Sequence, residues 1–260
     1  MAFHFRVAPV LRFAILALTA LLIAASRARA ADVVVLTAGA FKPVLLDLAQ
    51  SFQDRTGNTL AISNDTAGGV AARVMRGEEA DLIILPADAL DAIAAQGKVA
   101  ADSVVKVAKS GIGVVVKKGA PSPDISSVEA FRKALLDAPS IAYIDPGSGG
   151  SSGIYLDKMF DKLGIAEAVH AKEVLVPGGL AASRVDDGEA ALALQQISEL
   201  HAVSGVTYVG PLPGALQSYT VYAGGVPVTA RRPAAGRALL AYLRGEAGVK
   251  ALKAQGLEQP

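Results

Sequence analysis

The sequence predicts an α/β fold, with two Rossmann-like lobes separated by a central cleft. Three observations lead there. A strand, a loop of small residues and a helix start recur three times over residues 32–96, the pattern of a doubly wound parallel sheet. The same layout returns at 141–155 (IAYIDPGSGGSSGIY), with no close sequence repeat behind it. Two further strand-like segments, GIGVVVK at 111–117 and the stretch 218–225, are placed to carry the chain from one lobe to the other and back.

In chain order, residues 32–36 (DVVVL) read as a buried strand that ends in Thr37-Ala38-Gly39-Ala40. A helix follows from about Pro43, a residue favoured in the first turn, and Gly57 stops it. Leu45, Leu46, Leu48, Ala49 and Phe52 give that helix its apolar face. The strand at 60–62 runs into the small, polar loop 64–69, with a helix over 70–76 beyond it. The segment 80–85 (ADLIIL) is a third strand; a Pro86-Ala87-Asp88 turn leads to a helix over 89–96. After GIGVVVK, Ser126 and Glu129 stand at capping-box spacing before a helix over 128–136. The strand at 141–144 and its long loop lead to a helix from Gly153, with Ile154, Met159, Phe160 and Leu163 on one face. Strand 174–176, the turn Pro177-Gly178-Gly179 and a helix through Ala182 and Val185 come next. The buried segment 190–194 (AALAL) runs into Gln195-Gln196-Ile197-Ser198, and a last strand at 219–223 precedes a helix over 233–243.

The loop at 145–153 admits three readings: a surface connection, a nucleophile elbow, or an anion-binding loop. Gly149-Gly150-Ser151-Ser152-Gly153 fits G-x-S-x-G, the elbow pattern. An elbow is a sharp turn, however, and this loop is long; it also needs a base. Beyond the leader only His170 and His201 remain, neither near the C-terminus, where such folds keep their histidine. The two histidines are scattered and there is no cysteine, so a thiolate metal site is excluded and an imidazole site unsupported. Asp65, Asp81, Asp88 and Asp145 sit where helix capping explains them. The expectation is a binding protein with no enzymatic chemistry, no cofactor and no metal. Small residues at a helix start leave backbone N–H groups bare to an anion, and favour the third reading.

Residues 1–30 read as a secretory signal peptide. Arg6 and Arg12 form the basic start, 13–25 is an apolar run, and Ala28-Arg29-Ala30 is an A-x-A cleavage site. A periplasmic location, with cleavage near Ala30 and no membrane insertion afterwards, is expected. Removing Arg6, Arg12, Arg27 and Arg29 from 25 basic and 24 acidic side chains leaves a net charge of about −3. That balance gives no reason to expect a nucleic-acid partner.

The order and spacing of Ala80-Asp81-Leu82, Ala87-Asp88, GIGVVVK, Asp145-Pro146, Gly153-Ile154-Tyr155 and Gly188-Glu189-Ala190 resemble the periplasmic substrate-binding proteins of ABC importers. Within these the molybdate-binding family of the type II periplasmic binding fold is the nearest pattern. The resemblance implies a monomeric clamp with two interlobe crossovers, built from a leader at 1–30, one lobe of 31–114 plus 216–260, and a second lobe of 115–215. It implies capture of a small anion by lobe closure and transient docking on a permease. The contact loops correspond to 38–42, 65–69, 150–153, 177–180 and 195–197. The expected ligand-binding residues are Gly39, Ala40, Lys42, Thr66, Ala67, Ser151, Ser152, Gly178, Gly179, Arg184, Gln195 and Gln196. Where the family supplies serine in the first two loops this chain has Ala40 and Ala67, and where it supplies tyrosine this chain has Gln196. Each neutral hydrogen bond lost costs about 0.5–1.5 kcal/mol, so a small organic carboxylate stands beside a molybdate-like oxyanion as ligand.

Overall fold

The computed structural model describes residues 32–260; the expected signal peptide lies outside the described residues. Strand β1 (Asp32–Ala38) passes through a single 3₁₀ turn, Gly39–Phe41, into helix α1 (Lys42–Thr56). Gly57 closes α1 at φ 74°, a left-handed conformation that glycine adopts without strain. There follow β2 (Thr59–Asp65), α2 (Ala67–Met75), β3 (Leu82–Pro86), α3 (Ala87–Ala95) and β4 (Val105–Ser110). The chain then crosses to the second lobe: β5 (Ile112–Lys117), α4 (Val128–Asp137), β6 (Ile141–Ile144), α5 (Ser151–Lys162), α6 (Ala166–His170), β7 (Glu173–Val176), α7 (Ala181–Asp186), β8 (Leu192–Gln196), α8 (Ile197–Leu200) and β9 (Val206–Pro211). It returns through β10 (Thr220–Gly225) and ends in α9 (Pro233–Arg244) and α10 (Glu246–Ala254).

Two five-stranded sheets result, ordered β2-β1-β3-β10-β4 and β7-β6-β8-β5-β9. Neither is wholly parallel. In the first, β10 runs antiparallel to both β3 and β4; in the second, β5 runs antiparallel to both β8 and β9. Both exceptions follow a crossover between lobes, so the strand enters its sheet from the cleft end. In the parallel pairs Val35 stands opposite both Ile62 and Leu82, and Tyr143 opposite both Leu175 and Leu194. Strand β3 is buried along its whole length, as a central strand covered on both faces must be.

Strand β5 pairs entirely within the second sheet, so the first crossing falls at Gly111, ahead of the 114/115 boundary read from sequence. The second crossing is the segment between β9 and β10. Its Gln217 amide clasps the first one: Ile112 N donates to Gln217 Oε1 and Gln217 Nε2 donates to Ile112 O, each at 2.9 Å. Ser127, not Ser126, caps α4, through a hydrogen bond that its hydroxyl accepts from Ala130 N. Helix α5 begins at Ser151, and Ile154 on it is 38% exposed where the sequence pattern put it inward.

The start of α5 is packed against the end of β6. A Cβ on Gly153 would collide with the Ile144 carbonyl oxygen, so only glycine lets the helix begin that close to the strand. Gly153→Ala is therefore expected to cost about 1–3 kcal/mol, read as a lower urea midpoint at unchanged m-value.

Candidate functional site

Five strand-to-helix junctions face one crevice. They are the turn after β1, the β2–α2 loop, the β6–α5 loop, the β7–α7 loop and the β8–α8 junction. All lie at carboxyl ends of strands, where open α/β sheets take their ligands. Three hydrogen bonds hold the two sides together across the crevice: Thr66 Oγ1 donates to Ser148 O (2.6 Å), Gly68 N to Gly149 O (3.1 Å) and Ser198 Oγ to Ala40 O (2.8 Å). Gly68 and Gly149 meet with almost no space between their Cα atoms, so neither position tolerates a side chain.

Between these contacts remains a small cavity of about 30 Å³. The first lobe lines it with Ala38, Gly39, Ala40, Asn64, Asp65, Thr66, Ala67 and Tyr222; the second lobe adds Ile144, Gly150, Ser151, Ser152, Gly179 and Glu199. Its donors are mostly main-chain groups. No side chain caps the 3₁₀ turn, α1 or α5, so the first amides of each lack the partner that a capping side chain would supply. The start of α2 is different: Thr66 Oγ1 accepts from Gly69 N, and its proton is committed to Ser148 O. Thr66 is thus a latch between the lobes, with no hydroxyl proton left over.

Of the twelve residues singled out from sequence, Gly39, Ala40, Thr66, Ala67, Ser151, Ser152 and Gly179 line this cavity. The other five lie elsewhere. Gln195 is fully buried but spent on the backbone: Oε1 accepts from Ala181 N (2.7 Å) and Nε2 donates to Gly179 O (2.9 Å), shaping the loop that precedes α7. Gln196 sits at the crossings. With its NH₂ toward the carbonyls it donates to Ser110 O and Gly111 O (3.1 Å each), and its oxygen accepts from Thr220 Oγ1 (2.8 Å). Arg184 pairs with Glu189 at 2.9 Å on an exposed surface. Gly178 flanks Thr66 just outside the cavity. Lys42 lines a neighbouring depression of about 530 Å³, together with Asp47, Asn64, Leu180 and Glu199.

Two residues that sequence reasoning passed over dominate the electrostatics. Glu199, in the short helix after β8, is 8% exposed, and no ion pair reaches it among the described residues. Burial pushes its carboxyl up to about 8, against a smaller opposing effect from the Gln195 amide. A Cβ on Gly39 would lie 2.5 Å from Glu199 Oε1, so the carboxyl stands directly over the turn after β1. Tyr222, from the returning strand β10, lies 6.2 Å from Phe41 between ring centroids. Its phenol is raised by burial and then by the nearby Glu199 charge, with the Ser151 hydroxyl working the other way. The available signal for Glu199 was its position: an acid three residues past the end of a buried strand.

Folded Glu199 keeps its proton up to about pH 8, whereas an exposed glutamate ionises near 4.5. Between those values the folded state holds a proton that the unfolded chain has released. Its contribution to stability is therefore fully present below about 4.5 and lost as pH rises through about 8. Calorimetry of the wild type against Glu199→Gln should show the variant gaining in relative thermal stability, by several degrees, between pH 5 and 9.

A family model described as bacterial extracellular solute-binding protein matches residues 33–258. The chain is 37% identical over 257 residues to an aconitate isomerase from a Pseudomonas species, spanning 95% of this chain and 97% of that protein. In fold it matches the periplasmic molybdate-binding protein of Azotobacter vinelandii, with a TM-score of 0.74, 20% identity and coverage of 88% and 99%. It also matches the sulfate-binding protein of Mycobacterium tuberculosis, with a TM-score of 0.71, 16% identity and coverage of 88% and 87%. Both likenesses support the two-lobed type II periplasmic binding fold described above. With nearly all of its described length matched, this chain belongs to the bacterial extracellular solute-binding protein family.

Proposed function

We propose that the interlobe cavity receives one end of a small unsaturated polycarboxylate of the aconitate type and that Glu199 moves a proton on it. The observation that carries this reading is a buried carboxyl, poised near pH 8, facing a small cavity that it shares with Asp65, with the hydroxyls of Ser151, Ser152 and Tyr222, and with small and apolar residues. An inorganic dianion asks for donors alone. A carboxyl that ionises at this pH is an acid and a base by turns, which is what an isomerisation requires. The full-length likeness to an aconitate isomerase supports the same substrate class.

The chemistry is an allylic proton shift. Ionised Glu199 takes a proton from the methylene carbon next to one terminal carboxylate, and the C–H electron pair becomes part of a new C=C bond. The electrons of the old double bond move to the far carbon, which takes the proton back from Glu199. One proton is borrowed and returned, so no co-reactant is needed. Charge that develops between the two steps spreads onto the substrate carboxylates, where the amides at the start of α5 and the hydroxyls of Ser151 and Ser152 would receive it. Tyr222, raised well above ordinary phenols, stays protonated throughout and supplies a neutral donor beside Ser151. Lobe closure would exclude water from the ionised intermediate.

Membership of a solute-binding family favours a second reading, in which the same clamp delivers a carboxylate to a permease of an ABC importer without changing it. Nuclear magnetic resonance in D₂O separates the two. Purified protein given trans-aconitate should interconvert the isomers and place deuterium at the methylene carbon. Its kcat/KM should rise with pH and level off near 8. Glu199→Gln should lose about 100-fold or more in rate, while calorimetry still detects aconitate binding. A wild type that binds aconitate without interconverting it would overturn the isomerase reading and leave the receptor one.

A further inference from the structure

The small closed cavity is one end of a larger site. The depression beside it shares Gly39, Asn64, Gly179 and Glu199 with the cavity, so the two compartments meet along those residues. They differ in size and charge. The inner compartment, about 30 Å³, has neither lysine nor arginine in its lining and admits a single group the size of a carboxylate. The outer one, about 530 Å³, holds Lys42 and Asp47, with Pro43 and Leu46 as an apolar wall. A polycarboxylate therefore cannot lie wholly inside, and the charge it leaves outside meets an ammonium.

We propose that Lys42 is a specificity-determining residue. It holds the far carboxylate of a substrate whose near carboxylate fills the inner cavity and whose middle carbons lie against Glu199. The inference rests on the carboxylate reading given above and extends it from substrate class to substrate length.

The setting of Lys42 is unusual for a structural lysine. It is the first residue of α1, and no acidic residue occupies the first turn of that helix. A cation there sits against the positive end of the helix dipole, the position where an acid would be stabilised. Asp47 lines the same compartment, yet among the described residues Lys42 makes no ion pair with it or with any other acid. An anion arriving in the outer compartment meets the ammonium and the uncapped start of the helix together. Glu199 borders both compartments, so the carbons between the two bound carboxylates fall beside it. In aconitate the carbons that exchange the proton are those bearing the two terminal carboxylates, which is where this arrangement puts the base.

The test is isothermal calorimetry of wild type, Lys42→Met and Lys42→Arg with two probes. One is trans-aconitate. The other is mesaconate, the same unsaturated skeleton with a methyl group in place of the carboxymethyl arm. Wild type should bind trans-aconitate more tightly than mesaconate. Lys42→Met should lose about tenfold or more for trans-aconitate and stay within about twofold for mesaconate, and Lys42→Arg should keep most of the wild-type preference. Lys42→Met that weakens both probes equally, or neither, overturns the role of Lys42 while leaving the carboxylate reading intact. A wild type that binds neither probe overturns both.

Discussion

The clasp of the Gln217 amide on the backbone of Ile112 ties the two interlobe crossings to each other. A chain that crosses twice between lobes needs its two crossings side by side, or the lobes have no common axis. At the first crossing Ile112 O accepts from Leu212 N and Gly111 O from Ile197 N, and side-chain amides add to these main-chain bonds. Gln217 answers both groups of Ile112, and Gln196 answers Ser110, Gly111 and Thr220 from the other side. With these ties in place, the carboxyl ends of both sheets look into the same crevice. The closing contacts Thr66–Ser148, Gly68–Gly149 and Ser198–Ala40 then fall into register.

Within that crevice the main electrostatic fact is a carboxyl with no cation of its own. Removing an ionised carboxylate from water is costly, so Glu199 holds its proton and changes state only near pH 8. Neutral, it is a donor that tolerates an anion beside it; ionised, it is a base stronger than any surface glutamate. Tyr222 lies near enough for the Glu199 charge to act on its phenol, which burial already keeps protonated. The cavity thus offers hydrogen bonds in quantity and fixed positive charge only at its outer edge.

Much of the fold was legible because its signals are local. Small or polar residues between a strand and a helix mark the junctions at 39–40, 64–67 and 150–152, and those residues line the cavity. Glycine and proline punctuation located most helices within a few residues of their observed ends. Signals that depend on partners were not legible. Strand β4 carries Lys106 and Lys109 on a sheet edge, and its polar pattern concealed it. Gln195 and Gln196 read as candidates for the cleft because two adjacent amides at a strand end are costly to bury unless bonded. What satisfies them is main chain from distant segments, Ala181 and Gly179 for one, Ser110 and Gly111 for the other. Glu199 escaped for the same reason. Its importance comes from the elements that cover it, Gly39 from the first lobe and Gln195 from the second, and nothing beside it in the chain reports them.

All three hydrogen bonds of the seam between the lobes end on main-chain carbonyl oxygens, with the hydroxyls of Thr66 and Ser198 and the Gly68 N–H as donors. Peptide groups are the same at every position of every protein. The acceptor side of the seam is therefore indifferent to side-chain identity, whereas its donor side depends on hydroxyls at 66 and 198 and on glycine at 68 and 149. Lining residues outside those positions can then change while the jaw still shuts, so a new cargo need not redesign the bite.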